Sequence, residues 1–210
     1  MNRKIPQSTV RRLSHYLRSL ESFPKSEGTV SSEELAAWGQ TTAAQVRKDL
    51  SHFGSFGKRG LGYQAGELSK SLRTLLGIDR SWKVALVGAG RIGLALYEYP
   101  AFRSRGYDCV AIFDSDPEKI GTAWGDQSIC SLDVFEKVME EREVELVILA
   151  IPADAAQEVA SRAVEAGVNG ILNFAPIRLS VPAEVPVEDV NLVIELEALS
   201  FQITQRKQDV

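Results

Sequence analysis

The chain is poor in cysteine, histidine and methionine, with two of each. Cys109 and Cys130 stand 21 residues apart, which forms no metal-ligand spacing. They read as two reduced thiols in or near strands, as in a cytosolic protein, with thiol-based redox sensing as the alternative. Long apolar runs are missing too. The best, Val144 to Ala153, contains Glu145 and Pro152 and falls well short of the roughly 18–20 residues that span a bilayer. The N-terminus, Met1-Asn2-Arg3-Lys4-Ile5-Pro6, has no apolar stretch behind its charges, so no signal peptide is expected. A cytoplasmic location with no membrane partner follows as the expectation. Internal repeats and low-complexity segments are absent. What is there, 210 residues at 44% hydrophobic and 25% charged, has the composition of an ordinary globular protein with room for two small domains.

The charge is unevenly spread. Residues 1–80 hold 13 Lys and Arg against 7 Asp and Glu, whereas residues 81–210 hold 11 against 21. A basic part followed by an acidic part suggests one module that touches polyanions and one that reads a small ligand.

In the basic part, Val10, Leu13, Leu17 and Leu20 form one apolar stripe of a helix that ends by Phe23-Pro24. Ser31 and Glu34 have capping-box spacing at the start of a second helix, which buries Leu35 and Trp38 and stops at Gly39. A third helix begins after Thr42, whose relation to Gln45 repeats the pattern. Helix, short glycine-containing turn, helix is the helix-turn-helix signature. In the third helix Ala43, Val46, Leu50 and Phe53 share one face and Lys48 points away from it, flanked by Ala44, Gln45, Ser51 and His52, with Arg47 at the border. That outward face is small, polar and basic, which suits a major groove: Lys and Arg can donate to guanine, and Gln can pair with adenine. Gly54 to Tyr63 then alternates glycine with apolar and basic residues. It reads as a wing hairpin with Lys58 and Arg59 at its tip, within reach of phosphates or the minor groove. The candidate DNA contacts are therefore Thr42, Ala44, Gln45, Arg47, Lys48, Ser51, Lys58 and Arg59. A helix with Leu68, Leu72, Leu75 and Leu76 closes this domain at Gly77.

In the acidic part, the apolar run Trp82 to Val87 flows into Gly88-Ala89-Gly90-Arg91-Ile92-Gly93, and a helical stretch follows. A G-x-G-x-x-G between strand and helix is the context of a dinucleotide fingerprint. Its glycines serve a tight turn, close approach to a pyrophosphate, and helix–strand packing. A second apolar run ends at Asp114, with Asp116 two residues on. An acid at that strand end reads the ribose hydroxyls. Ser115 follows it where an arginine would suit a 2′-phosphate, so NAD(H) is expected over NADP(H). Two further runs end at Ala150-Ile151-Pro152 and at Asn173-Phe174-Ala175-Pro176. Ligands of open α/β sheets lie beyond the carboxyl ends of strands, which makes Ala150, Pro152, Asn173, Phe174 and Ala175 candidates for the nicotinamide side.

An enzyme is disfavoured. Both histidines, His15 and His52, lie in the basic part, no Tyr-x-x-x-Lys pair is present, and no acid–base group can be nominated. At the C-terminus Leu192, Leu196, Leu199 and Ile203 repeat at helical spacing beyond Pro182 and Pro186. This reads as an arm packed on a second subunit, since a helix-turn-helix reads paired half-sites as a two-fold dimer. The expected fold is thus α/β: a winged helix-turn-helix domain over 1–79 (helix-turn-helix about 16–55, wing about 54–63), a Rossmann-type parallel-sheet domain over 80–187, and a dimerisation helix over 188–210. On these residues alone, two alternatives to an NADH/NAD+ sensor stay open: a regulator responding to another adenine nucleotide or CoA, and an NAD-dependent dehydrogenase.

Gln45-Val46-Arg47-Lys48-Asp49-Leu50-Ser51, Phe53 to Gly57 with Arg59 to Tyr63, Gly88 to Gly93, Phe113-Asp114 with Asp116-Pro117, and Gly170 to Pro176 together resemble the Rex family of redox-sensing transcriptional repressors over nearly the whole chain. The resemblance implies a homodimer with swapped C-terminal helices, and nicotinamide pockets near the dimer interface. It implies a repressor that holds double-stranded operator DNA when NADH is low and releases it when NADH binds. It also matches Arg18 and Tyr99 to positions of a switching network. Asn191 stands where the family often has an acid, which removes a charge from that network.

Overall fold

The computed structural model describes residues 5–22, 28–54 and 61–208. The chain divides into two compact units, residues 1–80 and 81–210. The first contains helix α1 (Gln7–Glu21), strand β1 (Thr29–Val30), helices α2 (Ser32–Trp38) and α3 (Ala43–Ser51), strand β2 (Tyr63–Gln64) and helix α4 (Ala65–Leu75). The start signals read from the sequence are met. Ser31 Oγ accepts from Glu34 N–H at 3.1 Å and the Glu34 carboxylate accepts from Ser31 N–H at 2.8 Å, a closed capping box. Thr42 Oγ1 accepts from Gln45 N–H at 3.1 Å at the start of α3. The turn between α2 and α3 depends on Gly39: a Cβ there would lie 2.2 Å from the Tyr16 ring. The two short strands pair antiparallel, Val30 opposite Tyr63. The wing tip expected around Lys58 and Arg59, and the stop expected at Phe23-Pro24, lie outside the described residues.

The core of this unit is Leu13, Tyr16, Leu17, Leu20, Val30, Leu35, Val46, Leu50, Leu68 and Leu72. Three positions depart from the periodicity. Val10 and Leu75 are exposed, while Asp49, placed on no apolar face by its type, is 0% exposed. Its carboxylate accepts from Arg12 Nε and Nη2, both at 2.7 Å, from Tyr16 OH at 3.1 Å and from Gln45 Nε2 at 2.8 Å. Burial alone would raise the Asp49 pKa. The bonds from Arg12, Gln45 and Tyr16 outweigh it and hold the carboxyl below its usual value. The same burial, with Asp49 alongside, pushes the Tyr16 hydroxyl up to about 12. A buried polar residue, which the apolar pattern does not mark, therefore locks α3 onto α1.

The second unit carries β3 (Trp82–Val87), α5 (Arg91–Tyr97), α6 (Pro100–Ser104), β4 (Tyr107–Asp114), β5 (Ala123–Trp124), β6 (Gln127–Ser131), α7 (Phe135–Glu141), β7 (Leu146–Leu149), α8 (Ala153–Glu165), β8 (Gly170–Asn173), β9 (Val187–Asp189) and α9 (Leu192–Gln208). The strands form one sheet in the order β5-β6-β4-β3-β7-β8-β9, parallel except where β5 folds back on β6. Reversal of strand order at β3 makes a switch point between β3 and β7, the place where such sheets take ligands. The β5–β6 hairpin and β9 are too short to show in apolar patterning. One sheet face is covered by α7 and α8, which bury Phe113, Phe135, Met139, Val159 and Ala163. On the other face the segment between β8 and β9 contains no helix, and an apolar groove of about 410 Å³ lies open over Val84, Leu146, Ile148 and Leu172, rimmed by Phe102 and Tyr107.

Removing Arg12 while Asp49 stays buried leaves an uncompensated charge. Arg12→Met should destabilise the protein by about 3 kcal/mol, read by urea unfolding. Wild-type stability in that variant would show that Asp49 needs no counterion.

Candidate DNA-binding and dinucleotide-binding sites

The outward surface of α3 is built as the helical wheel requires. Thr42, Ala44, Arg47, Lys48 and Ser51 are exposed. The Lys48 side chain forms no hydrogen bond or ion pair among the described residues, so its ammonium stands free. Arg47 is held by Ser32 Oγ at 2.9 Å with Glu33 at 3.8 Å, an exposed arrangement that solvent can loosen. Ser51 Oγ donates to Lys48 O at 2.8 Å. Gln45 differs from the expectation of a free surface amide: it is half-buried and its nitrogen is spent on Asp49.

In the second unit the glycine loop is shaped by close approach. Gly88 has φ of 103°, and a Cβ there would lie 2.3 Å from Ala150 O. A Cβ on Gly93 would lie 2.0 Å from Gly88 O, whereas one on Gly90 would meet nothing within 4 Å. Gly88 and Gly93 thus hold the loop against β7 and α5, and Gly90 presents bare backbone to open space. This is the division of labour a dinucleotide loop needs, and the cradle fits a pyrophosphate. Arg91 and Ile92, the first residues of α5, are both exposed.

Asp114, at the end of β4, is 8% exposed. Its Oδ2 accepts from Ala89 N–H at 2.7 Å, which ties the glycine loop to β4. Its Oδ1 accepts from Asp116 N–H at 2.9 Å. Lys119, which the sequence reading passed over, places Nζ 3.3 Å from Asp114 Oδ2 and 3.4 Å from Asp116 Oδ2. Burial pushes the Asp114 carboxyl up, but the Asp116 and Ala89 amides and the Lys119 ammonium pull it below its ordinary 3.8. It is an ionised acceptor at neutral pH, as a ribose hydroxyl requires. The signal for Lys119 was its place in the loop after the acid, which spacing rules for this fingerprint do not include.

At the strand ends opposite, Ala150 is half-buried and Pro152 caps α8. Asn173 is 0% exposed and its side chain is fully engaged. Nδ2 donates to Ile177 O at 2.9 Å and Asp189 Oδ1 at 2.8 Å, and Oδ1 accepts from Ala175 N–H at 3.0 Å. These bonds fix the turn that carries Phe174 and Ala175, with Ala175 itself buried; the Asn173 amide, expected on the nicotinamide side, has both its nitrogen and its oxygen engaged within the protein. Tyr99 is exposed, its ring edge-on to Phe102 at 5.6 Å. Arg18 lies exposed on α1 in the first unit. Asn191 caps α9, its Oδ1 accepting from Val193 N–H at 3.0 Å. Cys109 is half-buried, and loss of solvent pushes its thiol up to about 11, so it stays protonated at neutral pH.

A helix-turn-helix with a basic outward helix, joined to a parallel sheet with a glycine loop and a strand-end carboxylate, defines a ligand-responsive DNA-binding regulator. Comparison with known proteins narrows this. A family described as putative DNA-binding protein N-terminus matches residues 4–51, and one described as CoA binding domain matches residues 79–177. The redox-sensing transcriptional repressor Rex of Carboxydothermus hydrogenoformans is 47% identical over 201 residues, covering 95% of this chain and 97% of that protein. Two solved structures are closely similar. A crystal structure of the repressor RSP in complex with beta-NADH has a TM-score of 0.88 and 34% identity, covering 97% of this chain and 96% of that one. Another, of RSP with beta-NAD+ and operator DNA, has a TM-score of 0.91 and 35% identity, covering 98% and 95%. The chain belongs to the Rex family of redox-sensing transcriptional repressors. That membership bears out the expectation of a regulator over an enzyme.

Two substitutions separate the glycines' roles. Gly93→Ala should lower the thermal midpoint by several degrees, because its Cβ collides with fixed backbone, while Gly90→Ala should leave it unchanged; equal midpoints would refute the close-packing role of Gly93. The lowered Asp114 pKa contributes stability that is full above the ordinary value and is lost as pH falls through the folded one. Asp114→Asn should therefore be less stable than the parent at pH 7, with the gap closing in acid. A gap independent of pH would mean that the charge contributes nothing.

Proposed function

We propose that this chain is a homodimeric, cytoplasmic repressor that grips double-stranded operator DNA through α3 and the wing and lets go when NADH occupies its second unit. The observation that carries the reading is the Asp114 carboxylate, ionised and bonded to the Ala89 amide of the glycine loop, in a chain that also bears an exposed basic recognition helix. Gly88, Ala89, Gly90, Arg91, Ile92 and Gly93 would hold the pyrophosphate. Asp114 and Asp116 would take the adenosine ribose, and Ala150, Pro152, Phe174 and Ala175 would flank the nicotinamide, with Asn173 fixing their turn. Bound there, the dinucleotide supplies only its redox state, a difference of one charge and of ring shape between NAD+ and NADH.

Two uncovered apolar surfaces support the dimer. Leu192, Val193, Ile194, Leu196, Leu199, Phe201 and Ile203 of α9 are 48–67% exposed. A helix that bares this much apolar surface needs a partner to cover it. The groove over β7 and β8 is the complementary surface, and the α9 of a second copy is the occupant we assign to it. Thr42, Ala44, Lys48 and Ser51, with Arg47 once it leaves Ser32, would contact DNA from each copy, Lys58 and Arg59 adding phosphate contacts. Arg18, Tyr99 and Asn191 would form the switch. Asn191 caps α9 as an acid would, but it brings no charge to Arg18. The ligand must bind the released state more tightly than the DNA-bound one. Full reversal from 99:1 to 1:99 takes about 5.5 kcal/mol, shared over two sites.

A fluorescence-anisotropy titration of an operator found by random-sequence selection tests the reading, with NADH, NAD+ and CoA added in turn. NADH is expected to release the DNA at concentrations where NAD+ does little. Release by CoA alone would support the reading that the CoA-binding family match suggests. Asp114→Arg should raise the NADH needed and narrow the preference over NADPH, and an unaltered preference would remove Asp114 from the ribose.

A further inference from the structure

Asp49 is a buried carboxylate that no ligand or DNA contact uses. It belongs to the recognition helix, and its neighbours divide into two kinds. Arg12, Tyr16 and Thr9, all on α1, donate to it and neutralise it. Gln45, one turn earlier on α3 itself, donates from the edge of the outward surface. An ionised carboxylate only accepts hydrogen bonds. The end of the Gln45 amide that meets Asp49 therefore has to be the nitrogen. The oxygen and the second amide hydrogen are left for an outside partner, and the amide cannot turn over.

We propose that Asp49 is a positioning residue for base choice: it fixes which end of the Gln45 amide faces the DNA, so that α3 presents an acceptor and a donor together. That pair matches the N6 donor and N7 acceptor of adenine, and fails against guanine, which offers two acceptors in the major groove. Arg12 serves the arrangement by keeping Asp49 charged. The inference rests on the operator-binding reading above and adds to it the base that Gln45 selects.

Asparagine at position 49 has the same shape but both donates and accepts, so it frees the Gln45 amide to turn over and meet guanine with its nitrogen. The test uses the full chain and a panel of operator duplexes with each base pair replaced singly. Four proteins are compared: the parent, Asp49→Asn, Gln45→Met and the double variant. The parent should favour an A·T pair over G·C at one position by roughly 5- to 150-fold. Gln45→Met should abolish that preference at that pair alone. Asp49→Asn should cut it to within about threefold while affinity for random-sequence duplex and its salt dependence stay at the parent's values. The double variant should show no further loss, since both changes remove one effect. A merely structural Asp49 would weaken all duplexes together and keep every ratio intact, which overturns the proposal. Gln45→Met with unchanged ratios also overturns it, even if Asp49→Asn fails to fold. A parent with no sequence preference at all overturns the operator-binding reading and this inference with it.

Discussion

The molecule rests on two carboxylates taken out of water and held ionised. A buried charge survives only where a cation and several N–H or O–H donors surround it, and both units meet that condition in the same way. Asp49 has the Arg12 guanidinium and the Tyr16 and Gln45 donors. Asp114 has the Lys119 ammonium and the Ala89 and Asp116 amides. Each ties together segments that carry function: Asp49 joins the recognition helix to α1, and Asp114 joins the glycine loop to β4. The geometry that a base or a ribose would meet is in both cases set by what the carboxylate has already accepted.

The same pair shows what a sequence can and cannot disclose. The Ser31–Glu34 capping box, the Thr42 cap, the strand-to-loop-to-helix context of Gly88 to Gly93 and the carboxylate at the end of β4 all follow from short-range spacing, and the structure has them where spacing puts them. Asp49 was invisible for a physical reason. Periodicity sorts residues by type, and an acid counts as polar whatever it faces; only the tertiary contact with Arg12, 37 residues away, makes burial affordable. The bond from Gln45 to Asp49 was invisible for the same reason. Lys119 and the Asn173 turn depend on which loops the sheet brings side by side. The three-residue strand β9 and the β5–β6 hairpin are too short for a pattern to rise above noise.

The sheet is asymmetric in what covers it. Two helices seal one face, and on the other the connection from β8 to β9 runs as irregular chain and leaves the groove open. Across the described residues, half of the large hydrophobes left exposed lie on α9. A fold that omits its own crossover helix and then extends a helix rich in exposed hydrophobes has divided one packing problem between two places. If α9 seats in the groove of a second copy, as proposed, the two places are one interface, and an element shared in that way is one whose position both copies must agree on.

Burial of Cys109 has a consequence for how this chain meets oxidants. A thiol pushed up to about 11 stays protonated in the cell's pH range, and protonated sulfur reacts slowly with peroxide or disulfide. Direct oxidation of this thiol on β4 is therefore slow. A response that works through a bound dinucleotide instead ends when that ligand leaves, so its memory is no longer than the ligand's residence time.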